Sequence, residues 1–184
     1  MYVDPLCVSM QDAINSMPKD KRGFIIINQG MTPNIVKQLI STKPAGFVID
    51  PDLVKGVNNG ELALEMFQGI RMESHDMPVI DLNGLQKCDE MFEGCNIKRF
   101  EGFENFDRVT NAHRMFQELT CSEPMPKLDM RNVRNASNMF VGARLNGGFS
   151  VPLDMRNVQD ARSMFYGAVF GNFPLGNEVN LPNA

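Results

Sequence analysis

The chain has 184 residues, 43% hydrophobic and 22% charged, which is enough apolar material for a buried core and too much for a disordered segment. Its net charge of −4 argues against a nucleic-acid binder that works by bulk positive charge. The longest clean apolar run, residues 24–27, is far short of the roughly 18 residues a membrane helix needs, so no membrane contact is expected.

The first ten residues, MYVDPLCVSM, have neither a basic stretch nor an apolar stretch of export-signal type. A cytoplasmic chain is therefore expected, in the host cytoplasm if a virus or pathogen encodes it. Residues 4–17 read as a helix, with Pro5 in the first turn and Leu6, Met10, Ile14 and Met17 at helical spacing. Residues 19–23 are a basic turn. Residues 24–28 form an apolar run suited to a buried strand. Thr32-Pro33 then opens a helix carrying Ile35, Val36, Leu39 and Ile40. Residues 47–50 form a second strand, stopped by Pro51.

From residue 66 onward a period governs the chain. Met-Phe pairs stand at Met66-Phe67, Met91-Phe92, Met115-Phe116, Met139-Phe140 and Met164-Phe165, spaced by 25, 24, 24 and 25 residues. A fixed period of this length signals stacked structural repeats. Each Met is preceded at three residues by a small side chain: Ala63, Cys88, Ala112, Ala136 or Ala161. Leu85, Val109, Val133 and Val158 stand six residues before the last four Met, and Gly69, Gly94, Gly142 and Gly167 follow the Phe at two, with Glu118 the exception. The pattern V-x-x-A-x-x-M-F-x-G is apolar at i, i+3, i+6 and i+7, which predicts about two turns of amphipathic helix. Upstream of each lies a short alternating segment, 80–82, 104–106, 128–130 or 153–155, that reads as a strand. The expected fold is thus α/β, a leucine-rich-repeat-like (LRR-like) solenoid of strand, turn and short helix in units of 24–25 residues. Residues 1–60 would form an N-terminal helical or βαβ cap with degenerate units, 61–170 the Met-Phe repeats, and 171–184 a closing segment.

The segments LDMRNVRNASNMFVGA and LDMRNVQDARSMFYGA resemble the BspA-like leucine-rich repeats, closest to the bacterial surface-protein variety. The likeness covers about residues 60–170. It implies a recognition scaffold and assigns no catalytic residue.

Four cysteines in such a chain are read as small core side chains, Cys88 and Cys95 in slots that other units fill with Ala, and not as disulfides. No metal, cofactor or catalytic motif is expected, although His75 or His113 would serve as base if the chain were a small hydrolase. Asp81, Asp129 and Asp154 share one strand register, and Arg131 and Arg156 another, which predicts charged ladders on an exposed face. Residues 61–123 carry 13 acidic side chains against 6 basic, Glu90, Glu93, Glu101 and Glu104 among them. These nine side chains are the expected contact surface of a non-enzymatic protein-binding module, a stand-alone effector or inhibitor with a partner that is basic where it meets the acidic stretch. The rival readings are an acidic decoy for the nucleic-acid site of a basic enzyme and a structural subunit that self-associates through open stack ends.

Overall fold

The computed structural model describes residues 12, 15–28, 31–50, 52, 67–171 and 179–180. The expected helix over 4–17 falls largely outside them, although residues 12, 15 and 16 are helical. Met66 and Ala63 also lie outside, as does most of 171–184.

The N-terminal elements form as their sequence dictates. β1 (Ile25–Ile27) is three β-branched residues, and α1 (Pro33–Ser41) follows it. Thr32 caps the helix from extended backbone, its side chain accepting from the Ile35 N–H, and Pro33 occupies the first turn, where its missing N–H costs nothing. The helix buries Val36, Leu39 and Ile40. It ends where Lys43 takes a left-handed φ of 53° and donates its N–H to the Ile40 carbonyl. β2 (Gly46–Ile49) then pairs parallel to β1, Phe47 beside Ile25. Gly46 is required there, because a Cβ would lie 2.7 Å from the Phe24 ring.

Beyond residue 70 come β3 (Arg71–Met77), β4 (Val79–Asp81), β5 (Asn96–Phe100), β6 (Phe103–Glu104), β7 (Thr120–Cys121), β8 (Arg144–Leu145), β9 (Leu153–Asp154), β10 (Val169–Phe170) and β11 (Val179–Asn180). Two parallel sheets result, one in the order β1-β2-β4-β6 and one in the order β10-β8-β7-β5-β3, with β11 paired to β9 separately. In the second sheet Arg71 pairs with Asn96, Asn96 with Thr120, Thr120 with Arg144 and Arg144 with Val169, so one sequence period is one strand-to-strand step. β4, β6 and β9 coincide in part with the strands expected over 80–82, 104–106 and 153–155; a 3-10 turn follows β6 at Phe106–Arg108, and another at Met130–Asn132 stands where the strand over 128–130 was expected.

The LRR-like solenoid with a short helix in each unit is not what the chain forms. The fold is α/β with two parallel sheets, and α1 is the one α-helix bounded among the described residues. The Met-Phe segments are turns. Glu90, Arg114, Asn138 and Ser163, each just before the Met, have φ between 53° and 59°. The position two after the Phe is left-handed again at Gly69, Gly94, Glu118, Gly142 and Gly167. Two left-handed residues per turn forbid a right-handed helix. Their reversal also aims alternate N–H groups outward. Cys88, Glu90, Phe92 and Gly94 donate to the carbonyls of Asn111, His113, Met115 and Gln117 at 2.8–3.0 Å, and the next two repeats do the same in turn. The residues between close local turns, such as Glu93 N–H to Glu90 carbonyl at 3.0 Å.

The apolar pattern is core, although its backbone is a turn and not a helix. Met91, Met115, Met139, Phe92, Phe116 and Phe140 are fully buried. The Phe rings form a column through Phe67, Phe92, Phe116, Phe140 and Phe165 with centroids 5.3–5.6 Å apart. Cys88 and Cys95 fill buried small-residue slots as expected.

Candidate functional site

The expected ladder of like charges does not exist as such. Asp81, at the end of β4, is buried, its side chain 5% exposed, and is held by Arg22 at 2.6 Å. It also accepts from the Asn83 N–H and from Nδ2 of Asn105, the residue after its register partner Glu104. Arg22 leads back from the N-terminal turn, pairs with Asp20 and Glu104 as well, and covers the Phe24 ring at 4.3 Å. Asp81 and Glu104 are therefore a clasp that joins the N-terminal segment to the repeats.

Asp129 and Asp154 are partnered within their own units. Arg131 reaches Asp129 and Arg156 reaches Asp154 through both Nε and a terminal nitrogen, at 2.5–2.8 Å. Each Asp also accepts the N–H of that Arg, an Asx turn two residues long. The fork of Arg156, then its N–H, hold the Asp154 carboxyl down to about 2, and Arg131 lowers Asp129 in the same way. Asp160 and Arg162 repeat the arrangement, which no strand register foretold.

The four glutamates belong to three places. Glu90 pairs with Arg114 on the next turn, and Glu93 accepts from Gln68 and Gln117 on the turns either side. Glu101 pairs with Arg99 at 2.7 Å, and Glu104 belongs to the clasp. No contact among the described residues brings Glu90 and Glu93 together with the three aspartates.

Both histidines touch a serine. His113 sits in a turn, half-buried, its Nδ1 2.8 Å from Ser137 Oγ one repeat on. That hydroxyl donates to Asn135 Oδ1 at 2.6 Å and Ser137 is 5% exposed, so this pair ties turns together and presents no open nucleophile. His75 lies in β3 beside Ser74, Oγ to Nδ1 3.2 Å, where the strand loses register between Met72 and Asp76. Burial pushes the Cys95 thiol up to about 12 and Cys121 to about 11, which removes both as thiolates at neutral pH.

Two surfaces were not legible as sites. One is a cleft of about 330 Å³ between the end of α1 and the β3 irregularity, lined by Lys43, His75, Asp76, Lys98 and Glu101 among others. The other is the last repeat. Interior turns hand their N–H groups to the next repeat, but no described residue accepts from the N–H groups of Ala161, Ser163, Phe165 or Gly167. Val151, Tyr166 and Val169, the exposed large hydrophobic residues among those described, gather in this stretch, Tyr166 being 75% exposed. Ala112 and Ala136 are buried, whereas Ala161 in the same slot is exposed.

Parallel strands stepped by one sequence period and joined by rows of turn-to-turn hydrogen bonds define a class of α/β repeat-sequence proteins. The chain belongs to the family described as Mycoplasma protein of unknown function, DUF285, whose model matches residues 61–177. No curated protein and no solved structure matches it. No helix among the described residues is long and apolar enough to cross a membrane.

Proposed function

We propose that the chain is a non-enzymatic protein-interaction module, and that its contact surface is the edge of the last repeat and not the aspartate register. The observation that carries this is that Tyr166 and Val169 are exposed in the same repeat whose alternate turn N–H groups have no described acceptor. A partner segment in extended form, offering carbonyls to the row and apolar side chains to Tyr166 and Val169, satisfies both features. The kinship of its repeats to the BspA-like surface repeat proteins supports a recognition role. The Asp81, Asp129 and Asp154 carboxylates are already partnered by Arg22, Arg131 and Arg156, so their charge is largely spent inside the molecule.

The test is a peptide-display selection on the purified chain, followed by titration of the recovered peptides against wild type and Tyr166→Asp/Val169→Asp. Extended apolar peptides that bind the variant at least tenfold more weakly support the reading. Peptides that bind both equally, or none at micromolar affinity, overturn it. Sedimentation of the chain alone identifies a second copy as the occupant if mass rises with concentration and the variant abolishes the rise.

A further inference from the structure

The peptide units of the Met-Phe turns are aligned from one repeat to the next. The last turn carries its N–H groups on Ala161, Ser163, Phe165 and Gly167. The carbonyls of the same peptide units, on Asp160, Arg162, Met164 and Tyr166, accept from Ala136, Asn138, Phe140 and Gly142 at 2.8–2.9 Å. The carbonyls paired with those donors accept in turn from Ala112, Arg114, Phe116 and Glu118 at 2.7–3.1 Å, and Cys88, Glu90, Phe92 and Gly94 continue the four rows. Peptide dipoles in such a row point one way and polarise one another, as they do in a helix, so the positive end collects at the last turn. The flanking segments run in the opposite sense. Gln159 donates its N–H back to the Arg134 carbonyl at 2.8 Å and Val169 to that of Ala143 at 2.7 Å, so the donor-only row is a property of the turn.

Side-chain charge adds to this polarity. Residues 124–171 carry six Lys and Arg against three Asp, and Asp129, Asp154 and Asp160 are each held by an Arg of their own unit. Arg144, in register with Val169, is exposed and has no ion-pair partner among the described residues. Glu90 and Glu93 stand at the opposite end of the rows. We propose that the edge of the last repeat selects acidic partners, extended polypeptide segments that carry Asp or Glu among apolar residues. The proposal rests on that edge being the contact surface and names what the surface recognises. An ordinary strand edge offers N–H groups between its carbonyls, and here those N–H groups would face donors. A carboxylate accepts without donating, and a convergent set of backbone N–H groups favours an anion. Ala161, Ser163 and Gly167 are exposed, so the row is within reach of a ligand, and Arg144 adds a cation beside it.

The probe is a heptapeptide of alternating Glu and Val, blocked at both ends, and the control is the same peptide with Gln in place of Glu. Each is titrated into the full chain at low salt while backbone NMR shifts are followed. The Glu peptide is expected to move the amides of Ala161, Ser163, Phe165 and Gly167. Those of Ala136, Asn138, Phe140 and Gly142, already taken up inside the stack, should stay in place. The Gln peptide is expected to bind at least tenfold more weakly, and the gap to narrow as salt is raised. Arg144→Gln is expected to weaken the Glu peptide severalfold and spare the Gln peptide. Ala161→Pro removes one N–H of the row at an exposed position and is expected to weaken the Glu peptide, unchanged interior amides showing that the variant folds. Equal binding of the two peptides overturns the acidic preference and leaves the contact surface standing. Glu-peptide shifts confined to other parts of the chain overturn the proposal, and so does an affinity that neither substitution alters. Absence of binding by the Glu peptide at millimolar concentration overturns it as well, the contact surface itself then being decided by the selected peptides and Tyr166→Asp/Val169→Asp.

Discussion

The βαβ segment from β1 to β2 and the Met-Phe turns obey opposite rules for satisfying their backbones. Between β1 and β2 the middle element closes its own hydrogen bonds, capped by Thr32 and ended at Lys43, so its conformation is decided within about ten residues. In the turns every second N–H is satisfied by a carbonyl about 23 residues further on. An isolated turn has no such partner. Its two left-handed residues cost free energy that only the neighbouring repeat and the buried Phe and Met offset. The first region is specified locally, the second by stacking.

The sharpest way to break the stacked half is Phe140→Ala. Phe140 is fully buried, with rings at 5.3 Å and 5.6 Å on either side, and its loss should cost about 3–5 kcal/mol in denaturant unfolding. Phe165→Ala, at the half-exposed end of the column, should cost clearly less. A similar penalty at both positions contradicts stacking as the source of stability.

The clasp between the two halves comes next. Arg22→Ala leaves Asp81 buried without its cation and should lower stability in denaturant unfolding by less than Phe140→Ala, because the arginine itself is exposed. In a double-mutant cycle with Asp81→Asn the two losses should not add. Additivity dissolves the clasp.

In the local half, Thr32→Ala removes the cap of α1 and should cost about 1 kcal/mol. The stacked half offers a contrast of opposite sign. Glu118 is left-handed at φ 55° where four other repeats have Gly, so Glu118→Gly should stabilise by about 0.5–1 kcal/mol, and Gly142→Ala should destabilise by a similar amount. Loss of stability in Glu118→Gly removes backbone strain from the account.

The smallest effect concerns the surface pairs. Arg156→Ala should let the Asp154 carboxyl rise from about 2 toward the ordinary value of about 3.9, read by NMR titration. A lowered folded-state pKa contributes stability above the unfolded value and loses it as pH falls toward 2, so the variant should differ from wild type above about pH 4 and converge with it in acid. An unmoved carboxyl denies the Arg156 fork its role.

Much of the plan was written in the residues. Thr32-Pro33, the apolar runs of β1 and β2 and the 24–25-residue period all correspond to elements or steps of the structure. The strands β5, β7, β8 and β10 were missed although Asn96-Ile97, Thr120-Cys121 and Arg144-Leu145 alternate polar and apolar after each turn. The aspartate register was visible and its meaning was not, because an Arg two residues away is as close in an Asx turn as a neighbour across a sheet. The cleft drew no signal at all, since Lys43, Asp76 and Lys98 come from three elements far apart in the chain.

The sequence by itself determined that the interior Met and Phe of the repeats are buried and how far apart the repeats stand, because apolar burial follows pattern and period whatever the backbone does between them. Only the tertiary structure decided that V-x-x-A-x-x-M-F-x-G is a turn. Positions i, i+3, i+6 and i+7 face one side in a short helix, and they also reach the core in a turn with left-handed residues just before the Met and two after the Phe. The choice falls to hydrogen bonds that exist only once the next repeat is in place, and no window of a single repeat contains them.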